Sequence, residues 1–153
     1  MNKIFTIIPQ FLQNPQEFYE SVRRGEQLKS KIAHLFLSTV VFLALYGFST
    51  GISSSWMQAL STALKMPILF LLTLAFTLPA LYFFSLALLN IQFSAIQASI
   101  VILSGVGVTA FLLLGLAPVS LFFATTSSNY PFFRLLAVVF VAVSGFVGFY
   151  YIL

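Results

Sequence analysis

Hydrophobic and polar positions fall into long blocks along this chain instead of alternating. Four blocks, residues 32–51, 67–89, 94–116 and 131–153, are almost wholly apolar or weakly polar. Each is close to the roughly 20 residues that carry a helix across a ~30 Å hydrocarbon core at about 1.5 Å per residue. After Lys65 no Asp, Glu, Lys, Arg or His occurs until Arg134. The pattern predicts four membrane-spanning helices.

The polar intervals predict shorter elements. Residues 1–13 read as a short amphipathic piece. Asn14, Pro15 and Glu17 then make a helix start, with a cap, a proline at the first helical position and a capping-box carboxylate. Phe18, Tyr19 and Val22 fall on one side of that helix, the charged Glu17, Glu20, Arg23 and Arg24 fall elsewhere, and Gly25 ends it. Between the first two spans, Ser53, Ser54, Ser55, Gln58, Ser61 and Thr62 oppose Trp56, Met57, Leu60 and Leu64. This predicts a short helix in the membrane interface over 53–64, anchored by Trp56. Residues 90–93 read as a tight turn and 127–130 as a loop. The expected fold is all-α: an integral membrane four-helix bundle with an N-terminal amphipathic helix and a short interfacial helix between spans one and two. Residues 1–30 form its cytoplasmic basic segment and 31–153 its membrane domain.

Small residues and prolines mark where these helices meet or bend. Gly47 and Gly51 form a GxxxG pair, which lets a second backbone come close. Ala137, Val141, Ser144 and Gly148 make a second small-residue stripe. The third span carries Gln97, Ser99, Ser104, Gly105, Gly107 and Thr109 and suits the middle of a bundle, with Ala117-Pro118 weakening its end. Pro67 fits the first turn of the second span. Pro79 removes a backbone donor at mid-membrane, which makes it a kink or a candidate hinge, with Thr77 placed to satisfy a freed carbonyl.

Composition sharpens this picture. The 153 residues are 60% hydrophobic and 7% charged, against about 25% charged in soluble domains. Five of the seven cations (Lys3, Arg23, Arg24, Lys29 and Lys31) lie in the first 31 residues, so the net charge of +4 reports topology and not nucleic-acid binding. Lys65 and Arg134 fall on the opposite side, and five against two places both termini in the cytoplasm of a multi-pass protein of the cell (inner) membrane. Lys65 and Arg134 are expected at the outer interface, on lipid phosphates or a partner's carboxylates, or snorkelling to water. The apolar run from Ile4 to Ile8 is short and broken by Pro9, unlike a signal peptide.

The chain has no cysteine, one histidine (His34) and no acidic residue after Glu26. General acid–base, nucleophilic and metal-centred routes lack their usual parts in the membrane. His34, beside Lys29 and Lys31, reads as a headgroup-level or hydrogen-bonded histidine in preference to a ligand. No catalytic, cofactor or metal residue is expected. The favoured function is a non-catalytic membrane scaffold or assembly subunit. It would pack with the lipid bilayer and with itself as a homo-oligomer, or with another membrane protein. One alternative is a channel or carrier for a small neutral or anionic solute, lined by Pro79, Gln97 and Thr109. Another is an accessory subunit of a larger energy-converting complex.

Asn14-Pro15-x-x-Phe18 precedes a basic-flanked first span, and Phe93-Ser94-Ala95-Ile96-Gln97-Ala98 opens a long apolar helix. This pattern resembles small prokaryotic relatives of the Yip1 family of multi-span membrane proteins. The resemblance implies a helical bundle with a cytoplasmic N-terminus. Eukaryotic members help to organise membrane trafficking with small GTPases. With four apparent spans instead of five and a short soluble tail, this chain gives no ground for carrying a GTPase role over.

The charge count predicts that a topology reporter fused after Ser128 reads external and one fused after Leu153 reads cytoplasmic. The reverse pair of signals would invert the orientation.

Overall fold

A computed structural model describes residues 2–52, 54–89, 94–126 and 130–152. The described residues form six helices: α1 (Asn2–Gln13), α2 (Pro15–Arg23), α3 (Leu28–Gly51), α4 (Trp56–Leu89), α5 (Ala95–Thr126) and α6 (Tyr130–Tyr150). The expected turn at 90–93 lies outside the described residues, as does most of the expected 127–130 loop. Four helices, α3 to α6, are long and apolar enough to cross a membrane.

Local chemistry sets several of the ends. Pro15 takes the first turn of α2, while the Asn14 side chain makes no cap bond. The helix closes at Gly25, whose φ of +77° lies in the left-handed region that favours glycine. Gly25 N–H donates to Val22 O and Glu26 N–H to Ser21 O, the paired bonds of a Schellman close. At the start of α4, the Ser55 hydroxyl accepts from Gln58 N–H at 3.1 Å, a serine cap three residues ahead of its donor.

α3 and α5 form the centre. The buried positions of α3 (Leu35, Ser38, Thr39, Phe42, Leu43, Tyr46 and Gly47) follow the three-and-four spacing of one helical face. They meet the buried face of α5, where Phe42 and Phe111 stack 5.7 Å apart. α4 packs on α3, and α6 packs on α5. In its most apolar stretch α5 is 56% buried, against 39% for α3 and 11% each for α4 and α6. The small, polar-studded third span is indeed the most enclosed helix. The bundle is open along one seam, where α6 faces the α3–α4 pair across a groove. α1 and α2 cover the end where α3 and α5 begin and α6 finishes.

Glycines set the close approaches. A Cβ on Gly47 would stand 2.6 Å from Thr62 O, and one on Gly51 would stand 2.6 Å from Ala59 Cα. The GxxxG pair therefore meets α4 backbone directly, at Ala59 and Ala63. On the other side, a Cβ on Gly148 would collide with Thr109 and stand 2.5 Å from Gly105 O.

Two expectations about α4 need correction. No separate interfacial helix occupies 53–64; from Trp56 that interval is the start of α4, which runs 34 residues through Pro67 and Pro79. Pro67 is thus interior and not a start. The backbone contact of Gln58–Ala59 and Thr62–Ala63 on Gly51 and Gly47 holds the upstream turns helical despite the missing proline donor. Likewise α5 continues through Pro118 to Thr126. At about 1.5 Å per residue, α4 and α5 reach roughly 51 and 48 Å, well beyond a ~30 Å core.

Replacing Gly51 by Leu should lower the thermal midpoint of the detergent-solubilised protein, with a cost of about 1–3 kcal/mol or more from forced overpacking. Circular dichroism melting checks this; an unchanged midpoint would mean that α3 and α4 do not depend on that contact.

Candidate functional site

The end that carries both helix pairs α1–α2 and the close of α6 is tied by side chains. Tyr19 OH donates to Tyr151 O at 2.9 Å and lies 3.2 Å from Ser104 Oγ. Phe11 packs edge-on to Phe18 and Tyr19, with centroids 5.0 and 5.4 Å apart, and lies against Tyr151. Lys31 Nζ sits 5.6 Å above the Phe18 ring and donates to Ser21 Oγ. Burial pushes the Tyr19 phenol above its ordinary value, and the Ser104 bond opposes part of that rise. Ile8 of α1 is fully buried and reaches Gly107 on α5, where a Cβ would stand 3.0 Å from its Cδ1.

Gln97 is the joint between α2 and α5. Its Nε2 donates to Val22 O at 3.0 Å and to Arg23 O at 3.4 Å, while its Oε1 accepts from Ser94 N–H at 3.1 Å. One carboxamide therefore serves two closing carbonyls of α2, Val22 O beside its bond from Gly25 N–H, and the Ser94 amide just ahead of α5. Beside it a groove of about 640 Å³ opens between α2 and α5, lined by Tyr19, Glu20 and Arg23 of α2, Gln97 and Val101 of α5, and Ile152.

Two further grooves flank α6. One, of about 490 Å³, has a polar wall from Thr50, Ser54, Gln58 and Thr62 and an apolar wall from Phe133, Ala137 and Val141. Tyr46 also lines it. That phenol is buried and faces the Ser120 hydroxyl without reaching hydrogen-bond geometry. The other groove, of about 510 Å³, runs between α5 and α6 and is almost wholly apolar, lined by Phe111, Leu114, Gly115, Val143, Ser144 and Val147. Ser144 Oγ is buried there without a hydrogen-bond partner. Gly115 is exposed, and a Cβ placed on it would meet nothing within 4 Å.

The residues expected to matter are thus distributed. Gly47 and Gly51 pack on α4, Gly148 packs on α5, Ala137 faces the seam toward α3–α4, and Ser144 faces the α5–α6 groove. Lys65 and Arg134 are exposed, and neither lines the groove that separates their helices. Trp56 is exposed on the first turn of α4, with Phe48 5.9 Å away. Pro79 lies within continuous helix; Thr77 Oγ1 donates to Thr73 O at 2.7 Å, not to the Ala75 carbonyl that the proline frees. His34 Nδ1 donates to Ser30 O at 2.6 Å. Among the described residues, no three His, Cys, Asp or Glu side chains gather as metal ligands.

Sequence reasoning passed over Ala59 and Ala63, whose small–xxx–small spacing repeats that of Gly47 and Gly51 and was the available signal for their pairing. It also passed over Gly115, which nothing in the local pattern distinguishes from the glycines packed inside. No protein-family model, curated protein or solved structure matches the chain.

Tyr19→Phe should cost about 0.5–1.5 kcal/mol through the lost hydroxyl bonds. The raised phenol value means that the neutral form is the one folding favours. That contribution is fully present below the unfolded value of 10.0 and is lost as pH rises through the higher folded value. The gap between wild-type and variant midpoints should therefore narrow above pH 10; a gap constant with pH would refute the linkage.

Proposed function

We propose that this multi-pass membrane protein is a non-catalytic assembly subunit that holds a further transmembrane helix, from a second copy or from another membrane protein. The carrying observation is the α5–α6 groove with Gly115 on its wall. Helices in lipid associate through close backbone packing and interhelical hydrogen bonds, because hydrocarbon removes the hydrophobic drive between them. Gly47, Gly51, Gly105 and Gly148 spend their small size on contacts within the chain. Gly115 does not, so a foreign backbone can approach there, along a groove wall that is almost wholly apolar.

The chemistry of the spans agrees with this reading. Polar residues that would line a carrier's path are engaged elsewhere: Gln97 joins α2 to α5, and Thr109 Oγ1 donates to Gly105 O at 3.0 Å in the packed α5–α6 contact. We place the protein in the cell's inner membrane with both termini cytoplasmic, on the strength of the cation count and the cytoplasmic N-terminus that the Yip1 resemblance implies.

The lack of native cysteine makes the test clean. Gly115→Cys in native membranes should be trapped by a short bis-maleimide as a homodimer or a defined heteromer. Gly115→Leu should abolish association in mild detergent while leaving the melting midpoint unchanged, since its side chain enters open space. A wild-type monomer without partner, together with solute flux in liposomes, would turn the assignment to the carrier.

A further inference from the structure

We propose that the groove between α2 and α5 is a binding site for the headgroup and upper acyl chain of an anionic phospholipid, with Arg23 as the phosphate-binding residue. The groove joins two chemistries in one cleft. Its mouth carries Arg23, Glu20 and Gln16 from the polar face of α2, and its floor is Val101, Ile102 and Ile152. A volume of about 640 Å³ is that of a small-molecule cleft.

Charge decides which headgroup fits. All three carboxylates of the chain, Glu17, Glu20 and Glu26, stand in the same segment as five cations. Glu20 also lines the groove, but its carboxylate is engaged by Arg24 at 3.2 Å, and Arg24 also reaches Glu26 at 3.8 Å. Arg23 is exposed and makes no ion pair among the described residues. The Schellman close at Gly25 and the Gln97 bonds to Val22 and Arg23 fix the backbone that carries it. A guanidinium presents paired donors that match two phosphate oxygens.

The floor decides between a lipid and a free anion. Val101, Ile102 and Ile152 give a soluble phosphate nothing, whereas they continue the path of an acyl chain from the headgroup level toward the apolar part of α5. Two of the polar groups in the lining are already used: Tyr19 OH binds Tyr151 O and lies beside Ser104 Oγ, and the Gln97 carboxamide is taken up by α2 and Ser94. Gln16 adds a neutral carboxamide at the mouth, so Arg23 supplies the charge that a phosphate answers.

The test is native mass spectrometry of the full chain, titrated with phosphatidylglycerol or phosphatidylcholine in detergent. Wild type should retain one phosphatidylglycerol in preference to phosphatidylcholine. Arg23→Gln should reduce that retention roughly tenfold to a hundredfold, the loss expected for a charge-assisted pair. Lys29→Gln removes the same charge from an exposed position outside the groove and should leave retention unchanged. Val101→Phe fills the floor without touching charge and should also release the lipid. Equal losses in Arg23→Gln and Lys29→Gln would reduce the effect to diffuse surface attraction and overturn the site. So would retention by Val101→Phe, equal retention of phosphatidylcholine, or displacement of the lipid by soluble glycerol phosphate at matching concentration.

Discussion

Backbone-to-backbone contact at glycine is the interaction on which the rest of this structure depends. In lipid, apolar side chains gain little by leaving hydrocarbon for one another, so helices must come close enough for dispersion and hydrogen bonding to act. Here two glycine seams do this. Gly47 and Gly51 bring α3 onto Ala59 and Ala63 of α4, and Gly105 and Gly148 bring α5 onto α6. The central α3–α5 pair, filled by Tyr46, Phe42, Leu43, Leu103 and Leu113, joins the two seams. The outer helices α4 and α6 are therefore each seated mainly along one glycine seam, and a groove is left between α6 and the α3–α4 pair.

The spans contain many hydroxyls, and their disposal follows one pattern among the described residues. Most turn back onto their own helix. Ser38 donates to His34 O, Thr73 to Leu69 O, Thr77 to Thr73 O, Ser99 to Ala95 O and Thr109 to Gly105 O. Such back-bonding satisfies the hydroxyl without a partner helix. Among the described residues, Thr39, Tyr46, Ser120 and Ser144 carry oxygens that are buried without a partner. A buried polar group without a hydrogen bond is costly.

Much of the fold was legible in the sequence, and the limits have physical causes. Block length and the absence of charge located all four spans, and small residues correctly marked α5 as the enclosed helix. Proline was the main source of error. As an isolated rule, Pro67 starts a helix, and the Gly47–Gly51 contact with α4 overrides it. Pro118 weakens a helix by the same rule, yet α5 continues through it to Thr126. The site was less legible. Periodicity shows that Gly47, Gly51 and Gly148 share helix faces with other small residues, but not which helix they meet. It also cannot tell Gly115, left open, from Gly105, packed under Ile152, because both lie in the same apolar run of α5. Gln97 looked like a polar residue for a path, and only the placement of α2 shows that it bonds two helix ends.

The division of chemistry along the molecule bears on what such a protein can do. Every carboxylate and most cations lie in residues 1–31, where α1 and α2 are fastened to the bundle by Ile8, Tyr19 and Gln97. That fastening runs to three separate elements at once: Tyr19 reaches the end of α6, Gln97 the start of α5, and Ile8 the α3–α5 pair through Gly107 and Thr39. A tail that merely floated on lipid would need none of these bonds. Holding the charged segment rigidly over the ends of the spans makes any occupant of the α2–α5 groove a contact of both α2 and α5. A molecule bound there would stiffen the joint on which α5, and with it the α5–α6 groove at mid-helix, is seated. The membrane face and the charged end are in this way parts of one packed body, joined through α5.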